Sequence, residues 1–216
     1  MTEPGSGSQR AGDRLLDAVR VMDRLRSPGG CPWDAEQTHR SLAPYLLEEA
    51  YETLEAIETG DVPALREELG DLLLQVLFHA RLAEEAEPGF DIDDVAGDLV
   101  AKLTRRHPHV FADVNADTAE QVAANWDEIK RAEKRRESVT DGVPLGQPAL
   151  ALAAKLVSRS ARAGLPVPPP AGDGIGERLL AVVADAVAAG IDPELALRET
   201  ARTYRDAVRA EEQRAR

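Results

Sequence analysis

The stretch "LLEEAYETLEAI" at residues 46–57, read with "REELGDLLLQVL" at 66–77, decides the fold. The first is rich in Leu, Ala and Glu and the second in Leu and Glu, which are strong helix formers, and neither alternates with a period of two. Both read as helices, joined by the short turn "TGDVP" at 59–63. Consecutive helices on so short a connection are antiparallel neighbours. Residues three and four apart share a helix face, so Glu49 and Glu52 project together from the first helix, with Glu48 stacked near Glu52. Glu68 and Asp71 project together from the second. The acidic positions border the apolar positions Leu46, Ala50 and Leu54, and Leu69, Leu72 and Val76, which are expected to face the core. Carboxylates beside a core are costly unless something positive neutralises them. Four facing carboxylates form a hard oxygen set suited to Mg2+ or Mn2+. The alternative is two ordinary solvated acidic faces.

Working outward, the remaining chain is also helical in pattern, and the expected fold class is all-α. A helix is expected at about 11–26, stopped by the turn formers of "SPGGCPWD". Others are expected at about 40–59, from near Pro63 to about 86, at about 93–106 and at about 117–137. Three more follow at about 149–163, 174–189 and 193–214. The segment "GLPVPPPAGDG" cannot be helical and reads as an extended connector. A faint repeat relates "GDLLLQV" (70–76) to "GERLLAV" (176–182).

Bulk properties narrow the function classes. The chain has 216 residues and a formal net charge of −13. Such a surface repels nucleic-acid phosphates, so no nucleic-acid polymer is expected as a partner. No apolar run reaches the roughly 18 residues of a membrane span, so no membrane partner is expected. The single cysteine, Cys31, excludes an internal disulfide framework. The first residues read as a disordered tail without a signal-peptide core, and a cytoplasmic setting is the expectation. No GxxxxGK[ST], GxSxG, HExxH or CxxC pattern occurs.

In "KLTRRHPHVF" (102–111), Lys102, Arg105 and Arg106 lie at helical spacing and form either surface charge or a phosphate-holding strip. His107 and His109 read as structural more readily than as ligands. Trp33 and Trp126 can each cap a core or stack on a nucleobase, and Lys130 follows one turn after Trp126.

In order along the chain, "GCPWDAEQTHRSLAPYLLEEAYE", "EELGDLLLQV", "KLTRRHPHVF" and "NWDEIKRAEK" resemble the MazG family of nucleoside triphosphate pyrophosphohydrolases. The family's EExxE and ExxD motifs are matched by Glu48, Glu49 and Glu52, and by Glu68 and Asp71. The resemblance covers about residues 12–165. It implies an all-α NTP pyrophosphatase fold, a homodimer, and Mg2+-dependent hydrolysis of a nucleoside triphosphate to the monophosphate and pyrophosphate, with nucleotide-pool house-cleaning as the role. Mn2+ is the alternative ion. Carried over, Glu49, Glu52, Glu68 and Asp71 are metal ligands, and Glu48 is a general base or an outer partner. Lys102, Arg106 and Arg105 hold phosphates, with Lys102 also acting on the chemistry. Trp126 and Lys130 lie near the nucleotide.

The C-terminal third departs from the pattern. Gly174 stands where Glu68 would repeat, Glu177 where Asp71 would, and Thr203 where Lys102 would. No second EExxE fits into "PVPPPAGDG". The expected organisation is a tail (1–11), a catalytic domain (12–138), a linker (139–148) and a degenerate helical domain (149–216). The rival reading is a non-catalytic helical scaffold or regulatory protein with a vestigial metal site.

Overall fold

The computed structural model describes residues 12–112, 118, 121–122, 125–126, 129, 133, 137–165 and 167–216. Among the described residues the ordered elements are all helical, as the composition predicts. They are α1 (Asp13–Arg26), α2 (Pro32–Glu36), α3 (His39–Thr59), α4 (Val62–Ala83), α5 (Ile92–Arg106), α6 (Pro108–Phe111), α7 (Ala149–Arg162), α8 (Ile175–Ala188) and α9 (Pro193–Arg214). The short α2 and α6 lie within stretches expected only to break helices. The helix expected at about 117–137 falls largely outside the described residues.

Two compact units divide the chain, residues 1–122 and 123–216. In the first, α3 and α4 form the main pair, α1 packs on α4, and α2 and α5 flank them. Local chemistry sets the ends of the pair. Thr38 caps α3 through its side chain, which accepts from the Ser41 N–H, and the Ser41 side chain accepts in turn from the Thr38 N–H. Gly60 ends α3 in the left-handed region, at φ 71°, where a residue with a Cβ is strained. Asp61 then caps α4, accepting from the Ala64 N–H at 3.1 Å, with Pro63 in the first turn. This tight reversal makes α3 and α4 antiparallel: His39 meets His79 at one level, and Glu49 meets Asp71 closer to the turn.

The core of this unit is Met22, Leu42, Leu77, Phe78 and Leu82, with Ala18, Val19 and Ile92 packed against it. At its edge, the Arg26 side chain, only 7% exposed, reaches from the end of α1 to Glu85 just beyond α4. Its Nε and Nη2 donate to the two carboxylate oxygens at 2.7 and 2.9 Å, and Nη1 donates to the Asp34 carbonyl of α2. Arg81 adds a bond to Glu85 at 3.2 Å and one to Asp23 at 2.9 Å. These bonds hold the Glu85 carboxyl below the usual carboxylate range, through the hydrogen bond from Arg26 first and then its charge and that of Arg81.

The expected core faces of α3 and α4 are buried only in part: Leu54 and Leu72 are half-buried, and Ala50 is exposed. Leu46, Leu69 and Val76 are exposed, whereas Leu42, Thr53 and Ala56 of α3 and Gln75, Phe78 and Leu82 of α4 are buried. Both helices carry apolar residues on more than one face, so composition alone leaves the rotational phase open. Here the chain buries the seam that carries the carboxylates and leaves leucine-rich faces outside. In the second unit α7, α8 and α9 pack on one another, with Val183 of α8 fully buried.

Candidate active site

The reversal at Gly60 aligns the acidic residues by symmetry. Glu49 and Asp71 each lie 11 residues from Gly60, and Glu52 and Glu68 each lie 8 residues from it. At about 1.5 Å of rise per residue, each pair reaches the same height on the two antiparallel helices. Carboxylate oxygens of Glu49, Glu68 and Asp71 lie within 4.8 Å of one another, and all three residues are half-buried. Glu52 is exposed and lies outside that tightest group, but its charge acts on both Glu49 and Glu68. Glu48 is exposed and acts more weakly on Glu49.

Burial pushes the Glu49 carboxyl up, and the charges of Asp71, Glu52, Glu68 and Glu48 add to the shift in that order. Glu68 is also raised, by burial first and then by Glu52, Asp71 and Glu67. Among the described residues, the charges acting on this pair are all carboxylates. Anions held this close without a cation repel one another, and a bound cation would relieve the repulsion. An all-oxygen carboxylate set suits a small hard divalent ion rather than a soft one.

The basic strip stands apart from this cluster electrostatically, since none of its members is among the charges acting on Glu49 or Glu68. Lys102 and Arg105 are exposed on α5, and Arg106 is half-buried at its end. His107 caps the same helix, its Nδ1 lying 2.7 Å from the Leu103 carbonyl, which agrees with a structural role. Trp126 is half-buried in the second unit. Lys130 lies outside the described residues. Trp33 packs edge-on against Tyr45 and Phe78, at centroid distances of 6.1 and 6.4 Å, as a cap on the core.

Three polar features gave no signal in the sequence. His39 and His79 stack with parallel rings, their Nδ1 atoms 2.8 Å apart, so one donates to the other. Burial, then the charge of His39, lowers the His79 pKa. Thr53 and Gln75 are 6% and 5% exposed within the α3–α4 seam. A buried polar side chain breaks no periodicity that a sequence displays. In the second unit, Glu177 lies against Gly172 and Gly174 at the start of α8, and no second carboxylate cluster occurs among the described residues.

Known proteins share this arrangement of sequence. Residues 37–111 match the MazG nucleotide pyrophosphohydrolase domain. An uncharacterized 26.1 kDa protein from Streptomyces cacaoi is 59% identical over 93% of this chain and 84% of its own. A nucleoside triphosphate pyrophosphohydrolase from Mycobacterium tuberculosis is 50% identical over 95% of this chain, which spans only 60% of that protein's length. A Thermotoga maritima protein named nucleoside triphosphate pyrophosphohydrolase/pyrophosphatase MazG is 37% identical over 91% of this chain and 84% of its own.

Proposed function

Because the chain belongs to the MazG family of nucleoside triphosphate pyrophosphohydrolases, we propose that it hydrolyses a nucleoside triphosphate to the monophosphate and pyrophosphate with Mg2+, or Mn2+ in its place. One observation carries the reading: Glu49, Glu68 and Asp71 converge to within 4.8 Å, and among the described residues the charges acting on Glu49 and Glu68 are carboxylates. In this reading Glu49, Glu52, Glu68 and Asp71 hold the cation. When bound, the ion lowers the pKa of the attacking water and offsets the triphosphate charge. Water attacks the α-phosphorus, the α–β bridging P–O bond breaks, and pyrophosphate leaves. Glu48, beside Glu49 on α3, takes the proton of the water. Lys102, Arg106 and Arg105 stabilise the departing pyrophosphate, and Trp126 and Lys130 contact the nucleotide.

Residues 12–138 form the catalytic domain in this account. Residues 139–148 link it to a degenerate second domain, 149–216, whose part is structural. The active form is a homodimer. The exposed leucine-rich faces support this, including the open apolar groove between Val21 and Leu25 of α1 and Leu73 and Leu74 of α4. No described helix is long and apolar enough to cross a membrane, which fits a cytoplasmic enzyme acting on the free nucleotide pool. The test is a panel of canonical and damaged NTPs and dNTPs with Mg2+, products identified by chromatography. The reading predicts monophosphate and pyrophosphate, lost in Glu52→Gln and Asp71→Asn. Diphosphate and phosphate, or undiminished turnover in both variants, would overturn it.

A further inference from the structure

We propose that Thr53 is a positioning residue for the cation site, its hydroxyl donating a hydrogen bond to the carboxylate of Glu49 one turn before it. The proposal rests on the metal reading above.

Thr53 is only 6% exposed, and its Oγ1 is sealed from solvent without a hydrogen-bond partner. Such groups are rare in folded proteins and call for a physical reason. A helical threonine usually satisfies its hydroxyl on a carbonyl of the preceding turn. Thr59, Thr200 and Thr203 do so here, each bonding the carbonyl four residues back at 2.8–3.2 Å. Thr53 does not, and its hydroxyl is uncommitted.

Placement supplies the reason. Thr53 is four residues after Glu49 on α3. Helical side chains lean back toward the N-terminus, so Thr53 lies over the carboxylate one turn earlier. A carboxylate that gives one oxygen to a cation has another to be oriented by a donor, and ligating carboxylates are commonly held in this way.

Calorimetric titration of the full chain with Mn2+ tests this, using Thr53→Val, which removes the hydroxyl at nearly constant volume, and Thr53→Ala. Each variant should bind Mn2+ about 10- to 100-fold more weakly than wild type. Thr53→Val should also melt no lower than wild type in EDTA, since it removes an unsatisfied buried polar atom. Mn2+ affinity within about twofold of wild type in the folded variants would overturn the proposal, since loss of an orienting partner weakens a metal site by more than that. A loss of ion-free melting temperature without loss of affinity would overturn it too. If Thr53→Val fails to fold, Thr53→Ala carries the decision. Absence of Mn2+ binding by wild type would overturn the metal reading itself, and the proposal with it.

Discussion

Replacing Glu49 by Gln should make the ion-free protein more stable than wild type and the Mg2+-saturated protein less stable. Glu49 and Asp71 have carboxylate oxygens within 4.8 Å of each other. Two unit charges at that separation repel by about 0.9 kcal/mol at the dielectric of water and about 3.5 kcal/mol at an effective value of about 20. For half-buried groups facing a cleft, about 1–2 kcal/mol is the reasonable figure. For a chain of this size, that raises the melting temperature by about 2–8 °C. The sign follows from linkage. Glu49 has a folded pKa above its unfolded value, so its contribution to stability is fully present below the unfolded pKa and is lost as pH rises through the folded one. The advantage of the variant should therefore be absent near about pH 4, grow above the ordinary glutamate range and be largest at about pH 8. Added salt should shrink it. With saturating Mg2+ the wild type gains stability through binding while the variant does not, and the order reverses. Differential scanning fluorimetry in EDTA and in Mg2+, across about pH 4–8, reads all of this. A Glu49→Gln protein that melts at or below wild type in EDTA at the alkaline end of that range would refute the reasoning, as would a pH-independent difference.

Lys102→Ala should lower kcat/KM for the nucleotide by about tenfold or more if the lysine stabilises the leaving pyrophosphate; an unchanged value in steady-state kinetics returns Lys102 to ordinary surface charge. Glu85→Ala strips the bidentate partner from a nearly buried Arg26. Because Glu85 itself is partly exposed, the cost should be about 1–2 kcal/mol rather than the larger penalty of a fully buried pair. The lowered pKa of Glu85 means that its contribution is present above the ordinary glutamate pKa and lost as pH falls through the depressed folded value. Thermal melts at about pH 7 should thus separate wild type from the variant, and the gap should close progressively as the pH is lowered below the ordinary glutamate range.

The parts of the fold that are legible in the sequence depend on local chemistry. Thr38, Gly60, Asp61 and Pro63 bound α3 and α4, and each acts through its own backbone geometry or side-chain cap. The placement of Glu49, Glu52, Glu68 and Asp71 equidistant about Gly60 is likewise plain from residue spacing alone. The rotational phase is not. Leu46, Leu69 and Val76 are expected inside and lie exposed, because helices apolar on several faces do not announce which face meets which neighbour. The five-residue α2 and four-residue α6 are too short for periodicity to register. The bond from Arg26 to Glu85 joins residues 59 apart, and the stacking of His39 on His79 spans 40. Such pairings exist only once the helices are packed. Thr53 and Gln75 illustrate the same limit, since a polar residue in a seam looks like any surface residue until its neighbours are known.

The central claim is attack of water on the α-phosphorus at the carboxylate cluster, and isotope tracing tests it most directly. The full chain is turned over with its preferred nucleoside triphosphate and Mg2+ in 18O-labelled water, and the products are analysed by mass spectrometry. The account predicts one labelled oxygen in the nucleoside monophosphate and none in pyrophosphate, with turnover lost in Asp71→Asn. Label in pyrophosphate or inorganic phosphate, or labelled monophosphate formed equally well by Asp71→Asn, would contradict it.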